Sequence, residues 1–255
     1  MTIDNITIGL KSITFRIDVW KSFFRGTISL PQALNMMLLH GMRSKKDAWV
    51  KLFGHPFHVL AGEMTLYVVL TEQIIEKNQY HVELIPDNAS VIDAGANVGI
   101  FSIFAAVNHP DATIYAFEPA PETFAALREN TKYYPNIRVF NCALGDRTGT
   151  ASLVITPNQG AGNHIGKEGI PVDMKTIDSL GVRMDFLKMD TEGYESPILQ
   201  GATETIKKWK PIIVMSAYHK PNDKKELPEL LNSISSYDCE LRHDSSDEDF
   251  ICKPQ

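Results

Sequence analysis

The stretch Val91-Ile92-Asp93-Ala94-Gly95-Ala96-Asn97-Val98-Gly99 runs from a short apolar segment through a glycine loop into Ile100-Phe101-Ser102-Ile103. A buried strand that turns on glycines into a helix is the entry to a doubly wound sheet, and the loop is where such sheets bind nucleosides. Outward from it, short apolar runs alternate with helical patterns. Strands are predicted at Val91–Asp93, Ile114–Phe117, Arg138–Asn141, Phe186–Met189 and Ile212–Ser216. Helices are predicted at Gly99–Val107, Pro121–Tyr133 and Pro197–Lys208. This alternation gives a mostly parallel α/β sheet. Two further strands, Cys239–His243 and Asp249–Cys252, are joined by the polar turn Asp244–Asp247 and must pair antiparallel. The sheet then has seven strands, the last antiparallel.

The loop narrows the ligand. Gly95-x-Asn97-x-Gly99 lacks the middle glycine and the spacing of a dinucleotide loop, and Gly-Lys-Ser/Thr of a phosphate loop is absent. Glu118, at the end of the next strand and followed by Pro119, is placed to reach ribose hydroxyls. Between Lys77 and Arg128 there is no Lys or Arg, while Glu83, Asp87, Asp93, Asp111, Glu118 and Glu122 fall in that stretch. A field of that sign favours a sulfonium with an α-ammonium group over a pyrophosphate. S-adenosylmethionine (AdoMet) therefore fits better than ATP or NAD. An NAD(P)-dependent oxidoreductase is the alternative, because a pyrophosphate can rest on backbone N–H groups. A non-catalytic AdoMet-binding protein is another.

The chain has 255 residues, enough for one α/β domain with an appendage. Its net charge of −6 argues against a dedicated nucleic-acid binder. That total is uneven. Residues 1–60 carry eight Lys or Arg and three Asp, a net +5, so the remainder is −11. Ser29-Leu30-Pro31-Gln32 has capping-box spacing, and Leu30, Leu34, Met37, Leu38 and Met42 follow at helical spacing. Residues 1–63 are read as an N-terminal helical cap on a catalytic domain of 64–255. Within the latter, 64–80 reads as a helix ending near Asn78, and 156–171 as a long glycine-rich mobile loop. Residues 1–60 and this loop, His164 and Lys167 included, are expected to meet the substrate. No segment reads as a signal or a membrane span, so a cytoplasmic location is expected. Three Cys without C-x-x-C spacing make a disulfide scaffold and a structural zinc site unsuitable readings. If the last hairpin turns at Ser245-Ser246, Cys239 stands opposite Cys252, and two free buried thiols are expected there.

Four stretches resemble one family: VIDAGANVGIFS, AFEP, LKMDTEGYE followed by ILQGA, and SAYHKPND. They look like the FkbM family of AdoMet-dependent methyltransferases, over roughly residues 64–254. The resemblance implies a class I methyltransferase fold and O-methylation of sugars, polyketides or related metabolites. It implies that Asp93, Gly95, Ala96, Asn97 and Gly99 line the methionine part of AdoMet and that Glu118 holds the ribose. Asn141, Cys142 and Ala143 would flank the adenine, and Asp190 would face the sulfonium and the acceptor. Many relatives carry an acid after the fifth strand, where this chain has Ser216-Ala217-Tyr218-His219-Lys220-Pro221. Asp190, Glu192 and His219 are the candidates for the base that removes a hydroxyl proton. Glu192 and Glu195 could equally complement the dipole of a helix opening at Ser196-Pro197. No dedicated metal-ligand spacing is present. A homodimer is compatible with the sequence and is not encoded in any motif.

Overall fold

The computed structural model describes residues 47–156, 162–243 and 248–255. Strand β1 (Ala48–Leu52) and β2 (His55–Val59) form an antiparallel hairpin. Its two-residue turn, Phe53-Gly54, has positive φ at both positions, as a tight hairpin requires. Helix α1 (Met64–Thr71) continues into one wider π-helical turn to Glu76. The chain then enters the main sheet through β3 (Ser90–Ala94), α2 (Ile100–Asn108), β4 (Thr113–Phe117), α3 (Pro121–Thr131) and β5 (Ile137–Phe140). An insertion follows: β6 (Ala143–Leu144), β7 (Gly149–Val154), β8 (His164–Gly166) and β9 (Ile170–Lys175). The main fold resumes with α4 (Ile177–Leu180), β10 (Phe186–Met189), α5 (Glu195–Gln200), α6 (Thr203–Trp209), β11 (Ile212–Ser216) and α7 (Asp223–Ile234). It ends in β12 (Tyr237–Arg242) and β13 (Asp249–Pro254).

The main sheet has the order β12-β13-β11-β10-β3-β4-β5, with β13 antiparallel to both neighbours and the remaining pairs parallel. The order reverses beside β3, with β4 on one side and β10 on the other, and such a point opens a crevice at the strands' carboxyl ends. The register aligns Ala94 with both Phe117 and Met189, so three loops leave the sheet level with one another. β10 is buried throughout and β3 from Val91 onward, as central parallel strands covered on both faces are. Helix α3 starts with Pro121 at its first position, where the missing N–H costs nothing, and Glu122 complements the helix dipole.

Three expectations change. The described part of the segment read as a helical cap contains the β1–β2 hairpin. Its alternation of buried Ala48, Val50 and Leu52 with exposed Trp49 and Lys51 is a period of two, which a helix cannot bury. The expected helix at Ser29–Met42 lies outside the described residues, as does the turn Asp244–Asp247. The stretch 156–171 is not one loop. Of its described residues, 164–166 form β8 and 170–171 open β9, in a four-stranded sheet of order β6-β9-β7-β8. Finally, Cys239 and Cys252 do face each other, and they are joined by a disulfide rather than left as free thiols. Direct opposition across β12 and β13 brings their Cα atoms to 4.0 Å, close enough for a bond. Cys142 is free and buried.

Candidate active site

The crevice at the carboxyl ends of β3, β4 and β10 is a cleft of about 910 Å³, its open mouth included. Its floor is the glycine loop. Gly95 has φ +75°, and a Cβ there would lie 2.0 Å from the Asp190 carbonyl oxygen, so only glycine lets the loop pass under β10. Gly99 has φ +97° and packs where a Cβ would press on Leu127 of α3. Asn97 also adopts positive φ, and its side-chain oxygen accepts from the Val98 N–H at 2.7 Å. Asparagine tolerates this conformation better than most residues, which explains its place where a dinucleotide loop would have glycine.

Glu118 lines the cleft beside Pro119. Its two oxygens accept from the Asn97 N–H at 3.0 Å and the Ala120 N–H at 2.8 Å. Each retains lone-pair capacity for a further donor. Burial pushes its carboxyl up to about 7, against the pull of those N–H groups and of Lys188. Cys142, Ala143 and Ala96 are also in the wall. Asn141 is not. Its amide donates to the carbonyls of Glu118 at 2.9 Å and Pro119 at 3.1 Å, and so fixes the rim.

Asp93 is fully buried and does not line the cleft. It accepts from the Ser102 hydroxyl at 2.6 Å and pairs with Lys188 Nζ at 3.1 Å. Lys188 also donates to the Gly95 carbonyl at 2.8 Å. Asp93 therefore ties the floor of the cleft to Ser102 of α2 and Lys188 of β10. Lys188 changes the electrostatics read from the sequence: residues 78–127 lack cations, yet β10 delivers one into the same cleft.

The other half of the site is acidic. Asp190, Thr191 and Glu192 leave β10 at the cleft wall. Glu192 and Gly193 both have positive φ, so the chain turns sharply there. Tyr80 donates its hydroxyl to Asp190 Oδ2 at 2.8 Å. Behind these carboxylates lies His219, its side chain 6% exposed and outside the cleft lining. Its Nδ1 lies 3.1 Å from Glu195 Oε1, and the same oxygen accepts from the Thr191 N–H at 2.9 Å and its hydroxyl at 3.1 Å. His219 Nε2 faces Asp190 Oδ1 at 3.5 Å and Glu192 Oε2 at 3.6 Å. Burial opposes charge on the ring, but the hydrogen bond and charge of Glu195, then Asp190 and Glu192, raise it to about 9. Burial and the Asp190 charge push Glu192 up to about 7. Burial also acts upward on Glu195, but the His219 bond and charge outweigh it and leave that carboxyl lowered.

The structure thus gathers Gly95, Ala96, Asn97, Glu118, Pro119, Cys142, Ala143, Asp190 and Glu192 around one cleft. Asp93, Asn141 and His219 stand behind it. Sequence reasoning missed Lys188, which lies far from the glycine loop in sequence, and Tyr80, at the end of a stretch read only as a helix; Asn163 and His164 of the lining fall in the loop expected to meet the substrate. Lys188 was findable, since it precedes Asp190 by two residues and side chains two apart on a strand share a face. Among the described residues no cluster of His, Cys, Asp and Glu could hold a metal, and no helix is long and apolar enough to cross a membrane.

A Rossmann-like sheet with a non-dinucleotide glycine loop, a cleft-lining acid just after β4 and another just after β10 is the arrangement of the AdoMet-dependent methyltransferase class. The chain belongs to the FkbM methyltransferases: the model of the Methyltransferase FkbM domain matches residues 93–241. It is 41% identical over 105 residues to the 31-O-demethyl-FK506 methyltransferase FkbM of Streptomyces tacrolimicus, covering 40% of this chain and 39% of that protein. It is 29% identical over 168 residues to the hexuronic acid methyltransferase AglP of Haloferax volcanii, covering 62% and 67%. The fold is similar to that of the methyltransferase FkbM from Methylobacillus flagellatus, with a TM-score of 0.51 and 22% identity over 74% of this chain and 54% of that one. The chain thus spans about half of that structure and less than half of the Streptomyces protein.

Proposed function

We propose that the protein transfers the methyl group of AdoMet to a hydroxyl of a small molecule, a sugar or a related metabolite. The observation that carries this is the Asp190–Glu192 pair at the carboxyl end of β10, opening onto the cleft that holds Glu118. Relatives named as methyltransferases of FK506 and of a hexuronic acid support an oxygen acceptor.

The residues fit the donor. Gly95 lets the loop pass close beneath β10, where a Cβ would meet the Asp190 carbonyl oxygen, and so shapes the floor of the cleft; the Glu118 carboxylate has free lone pairs for two vicinal hydroxyls. Glu118 would hold the ribose, and Cys142 and Ala143 would flank the base. The bound sulfonium supplies an already activated methyl, so the chain's task is alignment and proton removal. Glu192 takes the hydroxyl proton: it lines the cleft and, at about 7, matches a base working near neutral pH. Asp190, held by Tyr80, orients the hydroxyl. His219 does not act as the base. At about 9 its ring is protonated at neutral pH and has no lone pair to offer, and its charge keeps neighbouring carboxylates together.

Calorimetry with AdoMet and S-adenosylhomocysteine tests the donor. Label transfer from methyl-labelled AdoMet to a panel of glycosides, macrolides and amines tests the acceptor. Labelling of amines alone would overturn the hydroxyl assignment.

A further inference from the structure

We propose that Lys188 is a ligand-binding residue, taking the carboxylate at the methionine end of AdoMet. This rests on the reading of the cleft as an AdoMet site. Lys188 is 4% exposed and lines the cleft, whereas its partner Asp93 is 0% exposed and does not. The ammonium therefore stands between Asp93 and the ligand space. It has three N–H groups. One is donated to the Gly95 carbonyl at 2.8 Å, and one faces Asp93 at 3.1 Å. The rings of Tyr80 and Phe101 flank it, with centroids 5.1 and 5.9 Å from Nζ. These two contacts leave the third N–H without a hydrogen-bond acceptor among the described residues.

The charges around it give this donor its meaning. Glu118, Asp190 and Glu192 line the same cleft, and Lys188 is the only Lys or Arg among the described lining residues. Carboxylates suit the sulfonium and the α-ammonium of the amino-acid end but repel its carboxylate. Among the described lining residues, Lys188 is therefore the one cationic side chain that can meet the negative group of a zwitterionic end. Lys188 also ties β10 to the glycine loop through Gly95, so the residue that reads the ligand is the one that fixes the floor beneath it.

The test compares AdoMet with decarboxylated AdoMet, which lacks only that carboxylate, by calorimetry. In an acidic cleft without a carboxylate partner, the decarboxylated ligand, with one more net positive charge, would bind tighter. With Lys188 as partner, the wild-type protein binds it at least tenfold more weakly than AdoMet. In the double variant Asp93→Asn/Lys188→Met, which leaves no unpaired buried charge, this preference falls to within twofold. Should that variant fail to fold, Asp93→Asn/Lys188→Gln keeps a donor for Gly95 and loses most of the preference. Equal or tighter binding of decarboxylated AdoMet by the wild-type protein overturns the proposal, as does a tenfold preference that survives in a folded variant. A wild-type protein that binds neither ligand overturns the AdoMet reading itself, an outcome distinct from AdoMet binding without carboxylate discrimination.

Discussion

Each half of the cleft is built over a buried cation paired with a carboxylate. Under the glycine loop it is Lys188 with Asp93, 3.1 Å apart. Behind Asp190 and Glu192 it is His219 with Glu195, also 3.1 Å apart. Both cations are almost wholly buried, at 4% and 6% exposure. The pairs differ in chemistry and position. Lysine and aspartate as residue types ionise far from neutral pH, whereas histidine ionises near it. Lys188 faces the ligand space, while His219 lies behind Asp190 and Glu192. The floor thus rests on a pair whose residue types suit a constant charge, and the acidic wall of Asp190 and Glu192 on one that pH can discharge. A buried pair contributes less by its attraction than by the cost of leaving one partner alone.

That asymmetry can be broken from either end. The largest effect is expected from Lys188→Met alone. It leaves the Asp93 carboxylate buried without its cation and should cost about 3–5 kcal/mol in denaturant unfolding. Asp93→Asn in the same chain should restore most of the loss. If the single variant is as stable as wild type, the pair is not a structural anchor.

For His219 the shift sets the pH window. The folded value of about 9 lies above the ordinary histidine value of 6.5. Its contribution is therefore fully present below about pH 6.5 and is lost as the pH rises through 9. Wild-type stability should fall by on the order of 3 kcal/mol across that window relative to His219→Gln, measured by urea unfolding at each pH. Parallel pH profiles for the two proteins would show that the ring is not held as a cation.

Glu192→Gln should lower turnover roughly 100-fold, as loss of a general base does, while AdoMet affinity stays within about twofold. Steady-state rates with an acceptor found in the panel, beside calorimetry, separate the two effects. Equal losses in both would place Glu192 in donor binding instead. The smallest effect belongs to Glu118→Ala, which should weaken AdoMet binding about tenfold by removing charge-assisted bonds to the ribose. In the wild-type protein the same affinity should decline as pH falls below about 7, because the Glu118 carboxyl gains its proton there. An affinity flat between pH 6 and 8 would sink the ribose role.

Much of this site was legible before folding. The passage from Val91 to Gly99 marks the floor because glycines at a strand–helix turn leave few other readings. Glu118 and Asp190 stand at strand ends, and position along a strand is a local property. The opposition of Cys239 and Cys252 followed from counting back from a hairpin turn, although their bonding did not. The β1–β2 hairpin was legible in principle through the alternation of Ala48, Val50 and Leu52, which the basic charge of the segment overshadowed. The β6–β9 insertion was harder. Its strands are short, β8 lies within a glycine-rich run, and β6 pairs with β9 across the whole insertion, Ala143 opposite Met174.

The sequence by itself determined the fold class, the ligand-binding end of the sheet and the acids that line it. Each depends on a strand's apolar run, a glycine turn or a residue's place at a strand's end, all properties of neighbours along the chain. Only the tertiary structure decided the charge state of the cleft. Lys188 lies more than ninety residues from Asp93 in the chain and fills the electrostatic gap read across 78–127. His219, a neutral base on its reference value, becomes a cation because Asp190, Glu192 and Glu195 converge on it from another loop and helix. Electrostatic energy depends on distance in space and on burial, and neither can be read from spacing along a sequence.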